Sequence, residues 1–316
     1  MQTRDSEPLE RSTAAMMQDD STETFSQHRA LLFSIAYRML GSATDAEDIL
    51  QDAFIRWRGR PAGDVESPRR FLVTIVSRLC INHLKSARVV REQYVGQWLP
   101  EPLPTATGGE PSDDLLAGET ISMAFMLVLE RLNPLERAVF ILREVFGYDY
   151  SEIAAIVTRS EESCRQLLHR AHGYLKRERT RFEPSPGQHE KLLQRFVAAA
   201  LHGDMDGLVS VLSQDVTLYS DGGGKAAALP NRIFGADCVV RLLTGALRKF
   251  APPDIVTRVM HMNGQLGIVA YGGDTAVTVV LVDTHAGAIQ NIFLVSNPDK
   301  FTHIPTLDTL ELSQNG

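Results

Sequence analysis

The stretch SEIAAIVTRSEESCRQLLHRAHGYLKRER, residues 151 to 179, contains two helical patterns around a short break. Asp149 and Glu152 stand where a helix start needs caps, and Ile153, Ala154, Ile156 and Val157 form its apolar face. After Thr158 and Arg159, Ser160 caps a second pattern in which Cys164, Leu167, Leu168, Ala171 and Leu175 point inward. That leaves Glu161, Glu162, Arg165, Gln166, His169 and Arg170 outside. This is helix-turn-helix spacing, which sets the first turns of the second helix in the major groove of DNA. Arginine there pairs with guanine or phosphate, glutamine with adenine, and glutamate with the cytosine amino group. Thr158 occupies the turn position usually filled by glycine, and it is strained if its φ is positive.

Such a segment is unexpected in a chain with a net charge of −7 and a pI near 5.7, because proteins that find DNA unaided are usually basic throughout. The charge is unevenly placed. Arg56 to Arg91 holds nine Lys or Arg against Asp64 and Glu66, whereas Glu92 to Glu130 holds seven acids and no base. Arg165 to Arg181 then gives six basic residues against Glu178. Two nucleic-acid-facing modules joined by an acidic connector are expected. The 316 residues suit two or three domains, 44% apolar content suffices for packed cores, and no apolar run is long enough for a membrane span. Residues 1 to 24 lack a secretory pattern and read as a disordered leader. Cys80, Cys164 and Cys238 lie far apart, which points to thiols in a reducing cytoplasm with no disulfide, metal or cofactor.

Within residues 25 to 95, HRALLFSIAYRMLG is one helix ended by Gly41. Thr44 and Glu47 form a capping box for the next, which buries Ala46, Ile49, Leu50, Ala53, Phe54 and Trp57 and shows an acidic stripe of Glu47, Asp48, Gln51 and Asp52. A third helix starts at Ser67 and Pro68. Its outer ridge carries Arg70, Thr74, Ser77, Arg78, Asn82 and Lys85, suited to phosphates, and the preceding loop RGRPAGDVE has room for an extruded base. Residues 187 to 316 read as a helical hairpin, a strand, a further helix near 236 to 249 and four valine-rich strands separated by turns such as Asn263-Gly264. Helices followed by an antiparallel sheet indicate an α+β cone.

YRMLGSATDAEDILQDAFIRW, SPRRFLVTIVSRLCINHLKSAR and the helix-turn-helix together resemble regions 2 and 4 of an extracytoplasmic-function (ECF) RNA polymerase sigma factor. WLPEP at 98 to 102, DGGGK at 221 to 225 and NPDKF at 297 to 301 resemble the signature of the ECF group with a SnoaL-like (NTF2-like) C-terminal extension, with Phe301 where that group has leucine. The resemblance implies a multidomain chain: an all-α region 2 at 25–95, an acidic linker at 96–117, an all-α region 4 at 118–182, and a SnoaL-like α+β cone at 187–316. It implies that Glu47, Asp48, Gln51 and Asp52 bind core RNA polymerase, that Arg70, Arg78, Asn82 and Lys85 hold the minus-10 element of promoter DNA, and that the helix from Ser160 through Arg170 reads the minus-35 element.

The same resemblance implies a regulatory contact in cis, with no separate anti-sigma protein required. It would be built from Trp98, Leu99, Pro100, Glu101 and Pro102 against Asp221, Gly222, Gly223, Gly224 and Lys225 and against Asn297, Pro298, Asp299, Lys300 and Phe301, with Asp221, Lys225, Asp299 and Lys300 supplying polar pairs. The chain is then a cytoplasmic initiation factor and not an enzyme, and whether a small ligand fills the C-terminal pocket stays open. A competing reading is a regulator of duplex DNA fused to an NTF2-like enzyme or ligand sensor, with Asp221, His261, Asp283 or His285 as acid or base.

Overall fold

The computed structural model describes residues 7–58, 65–92, 94–105, 122–179, 186–250 and 254–314. The acidic stretch of the connector and most of the RGRPAGDVE loop lie outside them. The chain forms two compact units: Met1–Lys85 with Pro134–Leu168, and Ser86–Asn133 with His169–Gly316. Each therefore combines segments distant in sequence.

In the first unit α1 (Glu7–Leu40) runs back through the segment expected to be a disordered leader. Neither glycine nor proline interrupts residues 9 to 40, and Ala14, Ala15, Met16 and Met17 are strong helix formers, so the helix continues from its docked half. That half buries Leu32, Ile35, Ala36 and Leu40, and the Trp57 indole N–H donates to the Ser21 carbonyl at 2.8 Å. Gly41 ends the helix at φ 69°, a left-handed value that glycine adopts without strain. The start of α2 (Ala43–Arg58) departs from expectation, because the cap is Ser42, whose Oγ accepts the Asp45 N–H at 3.1 Å. Thr44 lies two positions further on, already inside the helix, and is exposed. α3 (Pro68–Glu92) begins where Ser67 Oγ accepts the Arg70 N–H at 3.4 Å. Ser77, expected on its outer ridge, is instead 1% exposed, since it lies beside Val73, Val76 and Cys80 on the buried arc.

The other part of this unit is α5 (Pro134–Phe140), a π-helical turn (Ile141–Val145), α6 (Tyr150–Val157) and the first part of α7 (Glu161–Arg179). Arg38 and Arg137 are both almost fully buried, and Arg137 Nε donates to the Arg38 carbonyl at 3.1 Å, tying α5 to α1. Burial lowers the Arg38 pKa to about 10.

The second unit contains α4 (Met123–Leu129), α8 (Pro186–His202), α9 (Met205–Val211), α10 (Ala236–Phe250), α11 (Leu307–Gln314) and six strands. These are β1 (Leu212–Asp221), β2 (Ile233–Phe234), β3 (Val256–Met262), β4 (Gln265–Gly272), β5 (Thr275–His285) and β6 (Ala288–Val295), in sheet order β2-β1-β6-β5-β4-β3. The sheet was expected to be antiparallel, but β1 pairs with β6 in parallel, Thr217 opposite Asn291 and Tyr219 opposite Phe293. β6 is last in the meander β3 to β6 and lies beside β1; the long connection through α10 takes the chain from β1 to β3 on the far edge, so no tight hairpin imposes an antiparallel direction on the β1–β6 pair. Asn263 (φ 52°) and Gly264 (φ 71°) make the expected two-residue turn between β3 and β4.

One sheet face packs on α8 to α10 through Leu193, Phe196, Leu208, Val216, Val240 and Ile292. The other face is covered by chain from before α5: Leu99, Met123 and Ala124 join Tyr271, Leu281, Phe293 and Val295 in a second core.

Candidate functional site

The three short motifs meet on that second face. Asp221, at the end of β1, is 1% exposed, and its carboxylate collects four donors. The Leu99 N–H donates to Oδ2 at 2.8 Å, the Tyr94 hydroxyl to Oδ1 at 2.6 Å, the Gly223 N–H to Oδ1 at 3.0 Å, and Lys300 Nζ lies 2.7 Å from Oδ2. Lys300 also donates to the Leu99 carbonyl, with its ammonium 4.4 Å from the centre of the Trp98 ring and 5.5 Å from that of Tyr94. A buried charge pair survives desolvation only when further hydrogen bonds complete it, and the linker backbone supplies them. Linker residues 94 to 99 are thereby clamped by one buried ion pair. Burial and the hydrogen bond to Asp221 both keep the Tyr94 hydroxyl protonated.

Asn297 extends the clamp by donating from Nδ2 to the Tyr94 hydroxyl at 2.9 Å and accepting the Asp299 N–H at 3.1 Å. The glycine run is required by closeness. Gly223 sits at φ 58°, and a Cβ there would lie 2.4 Å from Asn297 Nδ2, while one on Gly222 would meet the Ala226 carbonyl oxygen at 2.4 Å. Lys225 and Asp299 also pair, at 2.6 Å, with both side chains more than half exposed. Further along, buried Glu101 lies 3.0 Å from His303 Nδ1. Leu103 and Asn263 exchange hydrogen bonds at 2.9 and 2.8 Å, and Pro104 bridges to Met262, so the linker finishes against the β3–β4 turn. Pro100 and Pro102 are buried, and Phe301 packs against the same core. Tyr94 was missed in the sequence because its role is set by Asp221, 127 positions away.

The faces expected to bind polymerase and promoter DNA behave differently. On α2, Asp48, Gln51 and Asp52 are exposed and Glu47 is ion-paired with Arg29. On α7, Ser160, Glu161, Glu162, Arg165, Gln166, His169 and Arg170 are all exposed. Arg165 pairs with Glu161 at 2.9 Å and lies 4.7 Å from the centre of the Tyr150 ring. Thr158 takes the left-handed conformation at φ 56°, ψ 57°, so the strained turn is present. The cationic ridge of α3 is partly occupied. Arg78 donates from Nε to the Ile156 carbonyl and from Nη2 to the Ala155 carbonyl, both at 2.9 Å, and from Nη2 to Thr158 Oγ1 at 3.1 Å. It thus caps the C-terminus of α6, where unpaired carbonyls and the helix dipole favour a cation. Arg70 pairs with Glu152 at 3.0 Å, while Asn82 and Lys85 are exposed. No sequence signal reveals this contact, since the ridge and α6 each look complete alone.

Of the acid–base candidates, Asp221 belongs to the clamp. Asp283 is buried and accepts from Asn291 Nδ2 at 3.0 Å, and burial pushes its carboxyl up to about 7. Among the described residues, no cluster of His, Cys, Asp or Glu suits a metal ion, and no helix is long and apolar enough to cross a membrane.

The profile of sigma-70 region 2 matches residues 24–89 and that of sigma-70 region 4 matches residues 122–172. The ECF RNA polymerase sigma factor SigJ of Mycobacterium tuberculosis is 35% identical over 300 residues, covering 92% of this chain and 95% of the relative. A second protein of that organism, named Probable ECF RNA polymerase sigma factor SigI, is 32% identical over 94% of this chain and 98% of its own length. The crystal structure of SigJ superposes with a TM-score of 0.74 at 33% identity, covering 89% of this chain and 98% of that one. With both promoter-reading regions matched and nearly the full length shared, the chain belongs to the ECF RNA polymerase sigma factors.

Proposed function

We propose that this sigma factor carries core RNA polymerase to a specific promoter and is regulated in cis by its C-terminal domain. In this reading Glu47, Asp48, Gln51 and Asp52 dock on the polymerase, Arg70, Arg78, Asn82 and Lys85 hold the melted minus-10 strand, and Ser160 to Arg170 on α7 read the minus-35 element. The polymerase brings the chain to DNA, so a net charge of −7 is no handicap and discourages unproductive binding. The factor acts in the cytoplasm, catalyses no reaction itself and needs no separate anti-sigma protein.

The observation supporting cis regulation is the clamp of Asp221 and Lys300 on linker residues 94 to 99. The linker joins the two promoter-reading regions, and α4, inside the region 4 match, packs on the same sheet. Holding both limits the arrangements available to the promoter-reading helices. The test is initiation in vitro with purified core polymerase and the chain's own upstream DNA. Polymerase-dependent initiation that shifts severalfold with Asp221→Asn or Lys300→Met, compared at equal folded concentration, is expected. Equal initiation by all three proteins removes the regulatory reading. No initiation, with tight binding to duplex DNA in the absence of polymerase, favours the regulator-enzyme alternative.

A further inference from the structure

A cavity of about 290 Å³ lies under α4 on the sheet face that carries the linker. Its floor is set by strand register. Thr217 opposite Asn291 and Tyr219 opposite Phe293 put two small polar side chains beside an aromatic shelf, whose rings stack with centroids 5.3 Å apart. Its roof is Ala124, Leu127 and Val128 of α4. Among the described residues of its lining the charged ones are Arg131, just beyond α4, and Arg232, just before β2, both exposed, and none is Asp or Glu. Asp283 lies beside the floor, opposite Asn291 on the same face of the sheet and bonded to it, and its raised pKa limits the negative charge it places there.

We propose that this cavity binds a small organic acid, its carboxylate held at the mouth by Arg131 and Arg232 and its apolar body resting on Tyr219 and Phe293. Arginine suits a carboxylate because its planar N–H groups match the two oxygens, and the size is near the lower end for ligand pockets. Asn291, fixed by Asp283, and Thr217 offer hydrogen bonds to a polar group on the body. The roof helix lies inside the region 4 match. A bound acid touches a helix of sigma region 4 as well as the C-terminal domain, so occupancy fastens α4 to the sheet.

The probe is phenylacetate, with its neutral analogue phenylacetamide, titrated into the full-length protein without polymerase or DNA. The outcome is therefore independent of the proposed function. Saturable calorimetric binding of the acid and not of the amide is expected, together with slower amide exchange over residues 123–129. Arg232→Ala and Arg131→Ala should each weaken binding by about tenfold, and Arg232→Lys should restore part of the loss. Arg232 is exposed, so the unliganded melting temperature should not move with its replacement. Equal binding of acid and amide, affinity unchanged in Arg232→Ala, exchange over 123–129 unchanged at saturation, or no saturable binding of phenylacetate, benzoate or hexanoate each overturns the proposal.

Discussion

Lys300 and Asp221 are 79 positions apart in sequence, yet Nζ and Oδ2 lie 2.7 Å apart with side-chain exposures of 9% and 0%. Removing one partner strands the other charge in the core. Lys300→Met or Asp221→Asn should therefore lower the unfolding free energy of the C-terminal unit by about 3–5 kcal/mol, and the double variant should lose less than the sum of the two. Urea unfolding followed by Trp98 fluorescence reads both effects. Lys225 and Asp299, paired in the same two motifs but exposed, should contribute less than about 1 kcal/mol, so exchanging their charges should hardly move the midpoint.

Replacement of Gly223 by alanine tests the glycine run without touching charge. The left-handed φ alone costs about 1 kcal/mol, and the new Cβ collides with Asn297, which holds Tyr94. Gly223→Ala should destabilise the unit by more than that and speed proteolysis within residues 94 to 105. Gly273→Ala, also at positive φ but with nothing within 4 Å of the added Cβ, should show the conformational cost only.

The Arg78 cap on α6 makes two opposite predictions. Glu152→Gln weakens the neighbouring ion pair with Arg70 while keeping a side chain able to reach the Asp149 N–H, so it should loosen α3 from α6 and raise initiation by polymerase. Arg78→Ala loosens the same contact but deletes a proposed minus-10 ligand, so initiation should fall. Amide exchange over residues 150–157 should accelerate in both variants. A fall in initiation with Glu152→Gln contradicts a restraining role for the contact.

Asp283 predicts a pH dependence of stability. Its folded pKa, near 7, exceeds the unfolded value of 3.8, so the folded protein binds the extra proton between them. Stability therefore declines as pH rises from about 4 to 7 and levels off above, by at most about 4 kcal/mol from this group. The melting temperature of Asp283→Asn should vary less over that interval than that of the wild type.

Local features of this fold were legible in the sequence and distant pairings were not. The cap at Ser67, the turn at Asn263-Gly264 and the strained Thr158 are decided within a few residues, where steric and hydrogen-bond rules act directly. Ser42 was passed over for Thr44 because both offer a hydroxyl near the helix start, and only backbone geometry separates them. Ser77 looked external because one hydroxyl barely disturbs the apolar periodicity around it. The parallel pairing of β1 with β6 depends on how the chain crosses the sheet, and the engagement of Arg78 depends on a helix about 80 residues away. Arg38 and Arg137 were missed as core residues because charge predicts exposure unless partners are known. At the site, the four ionic residues were named from the motifs, but burial determines that Asp221 and Lys300 form the clamp while Lys225 and Asp299 lie at its rim.

The parallel pairing of β1 with β6 also sets an order of events on the ribosome. The centre of the sheet cannot close until Val295 has emerged, so Leu99 and α4 have no complete surface to dock on while the preceding strands are made. At ordinary elongation rates, synthesis of residues 186 to 295 takes on the order of ten seconds. For that interval each newborn molecule carries its promoter-reading helices without the domain that later holds their linker.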